Sequence, residues 1–374
     1  MRITIVLGPF LPAPAVLGGA VEKVHLLLAA AYRAAGHDVT IVSRRYGDFP
    51  HEETIDGIRH IRVASFDATS SLALNIILTL RYALRVARNL PPADITITNV
   101  FALPLFLPRR RAGKIYVHVA RFPKHQMWLY GRADRLQAIS HAVADAIAAQ
   151  APSLADRVVT IGYPVPDAYF RPAAAPRSKI ILYVGRISRE KGVHLLLEAF
   201  ARIAPQSPGW RLRIVGPHQT SQGGDGIGYL DELKALARPL GSACEFIGPI
   251  FDQNALLAEY HAASIFVYPS VAERGEAFGL AALEAMAAGC AVIVSSLRCF
   301  DDFIAPGVSG LRFDHRTTNP AERLAAELAR LMTEPNLLER TSTAGQRAAE
   351  QFRLPVIGAR MLDDFASLLA RAPP

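Results

Sequence analysis

Two acidic side chains that lie eight positions apart are the strongest candidates for chemistry in this chain. Glu276 comes just before an expected helix start near Phe278, and Glu284 lies two turns into that helix. The first backbone N–H groups of a helix have no partner within it, so they can bind phosphate or sugar hydroxyls. Because Glu284 stands in a run of Ala, Leu and Met, where an unpaired charge is costly, a ligand is favoured over solvent. The pattern predicts that Glu276 accepts hydrogen bonds from sugar hydroxyls and Glu284 from the 2′- and 3′-hydroxyls of a ribose.

A basic loop forms the second candidate. It reads Gly-Arg-Ile-Ser-Arg-Glu-Lys-Gly over residues 185–192, between an expected strand and an expected helix. Arg186 and Lys191 are five positions apart across this loop, so both can converge on one diphosphate. Two fixed cations can stabilise the charge of a leaving nucleoside diphosphate in place of Mg²⁺. A basic loop alone is usually solvent-facing, and its position after a strand is what favours a binding role here.

Two further candidates are weaker on residue type alone. Gly18 and Gly19 precede the first expected helix, where glycines allow a backbone to approach a phosphate or a sugar closely. Their spacing is not Gly-x-Gly-x-x-Gly, so the dinucleotide-binding fingerprint is absent. His118 ends an expected strand, where it either contacts a transferring sugar or is a hydrogen-bonded core histidine.

The sequence offers little for a metal, a protein nucleophile or a nucleic acid. Asp301 and Asp302 are adjacent, so their side chains diverge, and no Asp-x-Asp motif follows a strand. Neither a Walker loop nor a Gly-x-Ser-x-Gly elbow is present. The basic residues lack the interleaved aromatic residues that are typical of single-strand nucleic-acid binding. We therefore expect no metal, no cofactor and no nucleic-acid partner.

The elements that must position these residues alternate between short β-branched strands and helices, which predicts an α/β protein with parallel sheets covered on both faces. The predicted strands of the first half are Ile3–Leu7, Val39–Ser43, Ile95–Thr98, Ile115–Val119, Arg135–Ile139 and Val158–Ile161. Those of the second half are Lys179–Gly185, Leu212–Val215, Glu245–Ile247, Ile265–Tyr268 and Ala291–Ser295.

The alternation is interrupted at 171–178, where two prolines and several small residues predict a linker. We therefore predict an N-terminal domain over 1–170, a C-terminal domain over 171–354 and a closing helix over 355–374 that packs back on the N-terminal domain. Both domains are expected to be doubly wound, with ligands bound beyond the carboxyl ends of the strands. Two such domains facing a central cleft suit a reaction of two substrates.

The composition limits the class of protein. The chain has 374 residues, 51% hydrophobic and 20% charged, which is enough for two packed cores. Its three cysteines, Cys244, Cys290 and Cys299, form neither a disulfide framework nor a metal-ligand spacing, which favours a reducing compartment. The apolar N-terminal run is too short for a secretory signal, and Leu72–Leu80 is far below the roughly 20 residues that span a bilayer. A cytoplasmic protein, soluble or peripheral, is expected.

The positive charge is concentrated in the first half. Residues 1–170 hold 19 Lys and Arg against 12 Asp and Glu, whereas residues 171–374 hold 22 against 21. The expected helix Leu72–Leu90 carries Arg81, Arg85 and Arg88 on an apolar body, and Arg109-Arg110-Arg111 follows it. Basic residues beside apolar ones suit an anionic bilayer surface. The alternative is an ordinary amphipathic core helix with a solvated arginine face.

In this order and spacing, the motifs resemble those of the retaining glycosyltransferases of family 4, which have the GT-B architecture. The most specific elements are the Glu-x₇-Glu pair, Glu276 and Glu284, and the Gly-Arg-x₄-Lys-Gly loop at 185–192. The early Gly-Gly and the Gly-His-Asp-Val turn at 36–39 are also similar, and the resemblance covers nearly the whole chain. It implies two Rossmann-like domains and transfer of a hexose-type sugar from a nucleotide-diphosphate sugar to a glycan or lipid-linked acceptor, in cell-envelope polysaccharide or glycolipid synthesis.

The resemblance also implies roles for individual residues. Arg186 and Lys191 would hold the donor diphosphate, Glu284 the ribose, and Glu276 the donor sugar, which His118 would also contact. The implied catalytic set is His118, Arg186, Lys191 and Glu276. The implied donor-binding set is Gly18, Gly19, Arg186, Lys191, Glu276, Phe278, Gly279, Leu280 and Glu284. No metal is needed in this family, and the leaving phosphate is thought to take the acceptor proton in a front-face attack, so no protein nucleophile is assigned.

Other functions fit the same motifs less well. A nucleotide-sugar epimerase would need no acceptor, and a phosphorylase would ordinarily need a pyridoxal-bearing lysine that the motifs do not identify. A non-catalytic nucleotide-sugar-binding protein would be expected to lose its acids or cations, all of which are present here. The glycine-rich segment at 223–228 departs from the short loop that is usual in the family.

Overall fold

The computed structural model describes residues 1–17, 19–170 and 177–370, and the chain divides into two compact units. The N-terminal unit comprises Met1–Pro164 and Leu354–Pro374, and the C-terminal unit comprises Val165–Arg353. The sequence placed these divisions at 170/171 and 354/355. The first division falls earlier because Val165 pairs within the C-terminal unit, where its amide donates to the Phe352 carbonyl at 2.7 Å. Most of the predicted linker, 171–176, lies outside the described residues.

The N-terminal unit is built on one sheet. Its strands are β1 Arg2–Val6, β2 Asp38–Arg44, β3 Glu52–Ile55, β4 Ile58–Val63, β5 Ile95–Thr98, β6 Lys114–Val119, β7 Arg135–Ala138 and β8 Val158–Thr160. Its first five helices are α1 Ala20–Ala34, α2 Leu72–Asn89, α3 Leu103–Phe106, α4 Arg109–Ala112 and α5 His141–Gln150. Over the described residues the strand order is β3-β4-β2-β1-β5-β6-β7-β8, and all neighbours are parallel except β3 and β4.

The antiparallel hairpin of β3 and β4 was not predicted. Its turn is Asp56-Gly57, and both residues have positive φ angles, 50° and 76°. Asp-Gly with two positive φ angles is the signature of a two-residue hairpin turn that matches the twist of the strands. The Asp-Gly pair is therefore the sequence signal for this hairpin.

The C-terminal unit is built on a second parallel sheet. Its strands are β9 Ser178–Val184, β10 Arg211–Val215, β11 Cys244–Gly248, β12 Ala263–Tyr268, β13 Ala291–Ser295 and β14 Leu311–Phe313. Its helices are α6 Val193–Ile203, α7 Gly226–Ala237, α8 Gln253–Ala262, α9 Leu280–Ala287, α10 Pro320–Thr333 and α11 Pro335–Ala349. The strand order over the described part is β11-β10-β9-β12-β13-β14. The predicted α/β class with two parallel-sheet domains is confirmed.

The last helix, α12 Leu354–Ala370, belongs to the N-terminal unit. Its Phe365 side chain is fully buried and lies edge-on against Tyr32 and Tyr116, with ring centroids 5.6 Å and 4.9 Å away. Asp364, on the same helix, forms a two-point ion pair with Arg135 of β7, through contacts of 2.7 Å and 3.1 Å. An apolar contact and a charged contact thus fix α12 to the first sheet. Among the described helices, none combines the length and apolar character needed to cross a bilayer.

We expect Asp364→Ala to lower the free energy of unfolding of the N-terminal unit by about 3–5 kcal/mol, because it leaves the buried Arg135 guanidinium without its counter-ion. Urea unfolding followed by fluorescence measures this in a Trp210→Phe background, where Trp128 of the N-terminal unit is the remaining tryptophan. The matched control is Asp363→Ala, at the exposed neighbouring position. Equal effects of the two substitutions would contradict a role for the ion pair.

Candidate functional site

The loop after β9 places Arg186 at the carboxyl end of the second sheet. Its side chain is 43% exposed, and its Nη2 pairs with Glu190 Oε1 at 2.8 Å. Its Nη1 donates to the Gly223 carbonyl at 2.7 Å, and its own carbonyl accepts from the Tyr183 hydroxyl at 2.8 Å. Gly223 begins the glycine-rich segment noted in the sequence, so this segment lies against the arginine and helps to hold it in one orientation.

Lys191 and Glu276 form a buried ion pair. Lys191 Nζ donates to Glu276 Oε2 at 2.6 Å, and the two side chains are only 6% and 8% exposed. The ammonium also lies 5.4 Å from the centre of the Tyr268 ring. Burial and the nearby Glu276 carboxylate, to which the phenol is hydrogen-bonded, raise the pKa of Tyr268 well above its ordinary value. An ammonium and a phenol thus hold this carboxylate in place.

The loop that carries Glu276 is anchored to the basic loop. The Val271 amide and the Ser270 hydroxyl both donate to the Glu190 carbonyl, at 2.8 Å and 3.2 Å. Farther along, Glu273 Oε1 lies 2.9 Å from His315 Nε2. Glu190 therefore has two functions, since its side chain neutralises Arg186 while its backbone fixes the neighbouring loop.

Helix α9 begins at Leu280, two residues later than the sequence predicted. Gly279 precedes it in the left-handed region, at φ 79°, and a Cβ atom at this position would clash with the Phe300 ring. The Phe278 side chain is 2% exposed and lies 5.5 Å from Phe303, ring centre to ring centre, so it is part of the core. Of the three backbone amides predicted to bind the donor, that of Leu280 stands in the first turn of the helix.

Glu284 is held by two tyrosines from other elements. The Tyr260 hydroxyl donates to Glu284 Oε2 at 3.0 Å, and Tyr169 is also hydrogen-bonded to this carboxylate. Both phenols are buried, and burial together with the Glu284 charge raises their pKa values above the ordinary value. Hydrogen bonds from within the protein therefore offset part of the cost of burying the Glu284 charge, which weakens the sequence argument that this charge favours a ligand.

His118 lies at the end of β6, 4% exposed, with both ring nitrogens engaged. Gln137 donates its amide N–H to the Ile161 carbonyl at 2.6 Å, so its oxygen faces His118 Nδ1, 2.7 Å away, and must accept. This assigns the proton to Nδ1 and leaves Nε2 to accept from the Tyr163 hydroxyl at 3.3 Å. Burial and the neighbouring His25 lower the pKa of His118 to about 3, so it is neutral and unsuited to proton transfer at pH 7.

Gly19 caps α1, whereas Gly18 lies outside the described residues. The φ angle of Gly19 is 103°, and a Cβ atom there would clash with the carboxylate of Glu22. Glu22 is 6% exposed, and burial raises its pKa above the ordinary value. The Glu22 carboxylate thus occupies the space beside Gly19, where the resemblance implies that the donor binds.

The structure brings Arg186, Lys191 and Glu276 together in one set of loops in the C-terminal unit, and Glu284 follows on the adjoining helix. His118 and Gly19 belong to the N-terminal unit. Sequence reasoning missed Glu190 and the four tyrosines that hold these groups, although Tyr183 and Tyr268 stand near the ends of predicted strands. In the described part of the chain, no group of three or more His, Cys, Asp or Glu side chains is arranged to hold a metal ion.

The buried histidines should make stability depend on pH. His25 lies against His118, ring centres 4.7 Å apart, and burial lowers the pKa of His25 to about 4. Between pH 6.5 and 4 the unfolded chain therefore binds more protons than the folded one, so the free energy of unfolding should fall as pH decreases, by up to about 1.4 kcal/mol per pH unit for each histidine. Urea titrations at several pH values measure the slope. His25→Gln should flatten the slope, and the matched control is His141→Gln, at an exposed position. A slope that His25→Gln changes no more than the control does would refute the assignment.

Two family models match consecutive parts of the chain. A model described as a glycosyl transferase 4-like domain matches residues 19–169, and one described as glycosyl transferases group 1 matches residues 167–348. The D-inositol 3-phosphate glycosyltransferase of Streptomyces bingchenggensis is 33% identical over 253 residues, which cover 64% of this chain and 54% of that protein. The chain spans about half the length of two curated relatives of this name.

Two solved structures are similar to this chain over almost its full length. The sucrose-phosphate synthase of Thermosynechococcus elongatus has a TM-score of 0.79 at 21% identity, covering 100% of both chains. Anabaena HepE, in complex with UDP and glucose, has a TM-score of 0.74 at 18% identity, covering 98% of this chain and 100% of that one. Similarity at these identities shows the fold alone, which is GT-B. Since the two family models together extend over 19–348, the chain belongs to the glycosyl transferases group 1 family, with a glycosyl transferase 4-like N-terminal domain.

Proposed function

We propose that this chain is a glycosyltransferase that moves a hexose-type sugar from a nucleotide-diphosphate sugar to a glycan or lipid-linked acceptor. The observation that carries the proposal is the buried Lys191–Glu276 pair beside Arg186, because it presents cations and an acid in one set of loops. A sugar diphosphate offers the matching groups, phosphate oxygens for the cations and hydroxyls for the acid. Family membership, a relative named as a glycosyltransferase and a neighbour bound to UDP and glucose support this choice.

The geometry of each side chain supports its proposed role. Arg186 is half-exposed and keeps three of its five N–H donors for the diphosphate beyond the two that are engaged. Lys191 supplies a second, buried charge. Glu276, with one oxygen fixed by Lys191, orients the donor sugar, while Glu284, fixed by its tyrosines, accepts from the ribose.

The proposed reaction retains the anomeric configuration. The acceptor hydroxyl attacks the anomeric carbon on the face from which the diphosphate departs, and a phosphate oxygen takes its proton. The neutral state of His118 is consistent with a role in positioning rather than in acid–base chemistry. The charge that develops on the leaving diphosphate is stabilised by Arg186 and Lys191 rather than by a metal. Anomeric configuration in the product, measured by NMR, tests retention.

The proposed setting is the cytoplasmic side of the membrane, in envelope polysaccharide or glycolipid synthesis. Helix α2 exposes a group of large apolar side chains and contains neither Asp nor Glu. The exposed residues are Leu72, Leu74, Ile76, Ile77 and Leu84. Three arginines follow on the same helix, and apolar residues beside a cationic surface suit an anionic bilayer. We therefore propose that α2 makes peripheral contact with it.

We expect Glu276→Gln to lower kcat by about 10²–10³-fold, the usual cost of one electrostatic contact to a transition state. Gln is chosen because Ala would leave Lys191 buried without any partner, at a cost of about 3–5 kcal/mol in stability. The donor is first found by thermal shift with UDP-, GDP- and ADP-sugars, and turnover is then measured with donor and acceptor.

The control for this experiment is Glu339→Gln, the same change at an exposed position of α11. Turnover of Glu276→Gln at the level of the control would refute the role of Glu276. Incubation of the wild type with donor alone separates the alternatives: an epimerised donor would point to an epimerase, and binding of donor without any turnover would point to a non-catalytic binder.

Membrane contact is tested by co-sedimentation with phosphatidylglycerol vesicles at low salt. Leu72→Asp with Ile77→Asp should weaken binding at least about tenfold, because two apolar side chains are lost and two like charges face the lipid. Leu369→Asp, at an exposed position of α12, is the control. If the wild type stays in the supernatant with these vesicles, the contact does not exist.

A further inference from the structure

A cavity of about 220 Å³ in the N-terminal unit is lined mainly by cationic side chains. It lies between the ends of β2 and β4 and the second half of α2, apart from the loops of the candidate donor site, and it shares Arg85 with the basic part of α2. Three arginines and one histidine line it, and no carboxylate lines it among the described residues. The lining residues are Arg45, His51, Arg62, Val63, Ala64, Arg85 and Asn89.

The fold places two of these arginines at the cavity, Arg45 through its backbone and Arg85 through its side chain. The Arg45 amide donates to the Val63 carbonyl at 2.8 Å, which continues the pairing of β2 with β4 beyond the strand end. Arg85 reaches down from α2, where its Nη1 donates to the Ala64 carbonyl at 3.0 Å and its guanidinium lies 5.0 Å from the centre of the Phe66 ring. Arg85 is therefore held in place and does not extend freely into solvent.

The third arginine, Arg62, is completely buried in the cavity wall. Its Nη1 donates to the Pro50 carbonyl at 2.8 Å, and its Nη2 forms an ion pair with Glu53. Its Nε has no hydrogen-bond partner among the described residues. Glu53 thus balances one of three guanidinium charges around the cavity, which leaves an excess of two positive charges. A concave site with uncompensated cations attracts an anion.

We propose that this cavity binds a phosphate group, as a phosphomonoester of a sugar or of a lipid headgroup. Guanidinium groups match phosphate oxygens through two parallel N–H donors each. The volume is below the roughly 300–1,000 Å³ of sites that enclose drug-sized ligands, so it fits a phosphate and a small attached group rather than a nucleotide. The inference concerns binding of an anion, and it holds whether or not the proposed transfer occurs.

Arginine modification of the wild-type protein tests the proposal residue by residue. Phenylglyoxal is applied with and without inorganic phosphate at constant ionic strength, and the modified arginines are identified by peptide mass spectrometry. At about ten times the Kd, phosphate should slow modification of Arg45 and Arg85 about tenfold, because only the free protein reacts. Arg81 and Arg88, exposed on the same helix, should react at unchanged rates. Unprotected Arg45 and Arg85 would overturn the proposal.

Two double variants supply an independent measurement. Arg45→Gln with Arg85→Gln should remove one phosphate site in calorimetry, whereas Arg81→Gln with Arg88→Gln, which makes the same change in net charge, should keep it. Equal loss in both variants would show that general charge, not the cavity, binds phosphate. Protection by a soluble hexose 6-phosphate assigns the group to a sugar, and protection by phosphatidic acid vesicles but not phosphatidylcholine vesicles assigns it to a lipid.

Discussion

The Lys191–Glu276 ion pair is the interaction on which the candidate site depends. It joins the basic loop to the loop before α9, and each partner would be an uncompensated buried charge without the other. Arg186 is paired with Glu190, and these two side chains are much more exposed. Both cations proposed to hold a diphosphate are therefore already paired with carboxylates. An incoming anion must compete with these acids, so part of its binding energy is spent on rearranging existing pairs.

Buried tyrosine hydroxyl groups are the second feature that positions the acids of the site. Tyr268 contacts Glu276, and Tyr260 contacts Glu284, in each case as a neutral donor to a carboxylate. A phenol orients a carboxylate through a neutral hydrogen bond and adds no positive charge. It occupies only one of the acceptor positions of the carboxylate. The two acids therefore remain available as acceptors for hydroxyl groups. In the N-terminal unit, Gln137 fixes the tautomer of His118 by the same kind of neutral contact.

The sequence was sufficient to predict those features of the structure that depend on residues close together in the chain. The eleven predicted strands were placed to within one or two residues, because β-branched runs and glycine stops are local signals, whereas β3, β4 and β14 were not predicted. The spacing of Arg186, Lys191 and Glu276 identified the loops that meet. The tyrosine partners were not predictable from a local pattern, since Tyr260 lies 24 positions from Glu284. The start of α9 was misplaced because Gly279 caps the helix in a left-handed backbone conformation, and the Phe300 ring leaves no room for a side chain there.

The position of α12 has a consequence for dividing this protein by genetic means. The N-terminal unit is not a continuous stretch of chain, since its core includes Phe365. A gene fragment that stops at residue 164 would encode a sheet whose tyrosines, Tyr32 and Tyr116, had lost the ring they pack against. The C-terminal unit, 165–353, is continuous in sequence and can be expressed as one segment. The N-terminal unit would need a short artificial linker that joins residue 164 to the last helix.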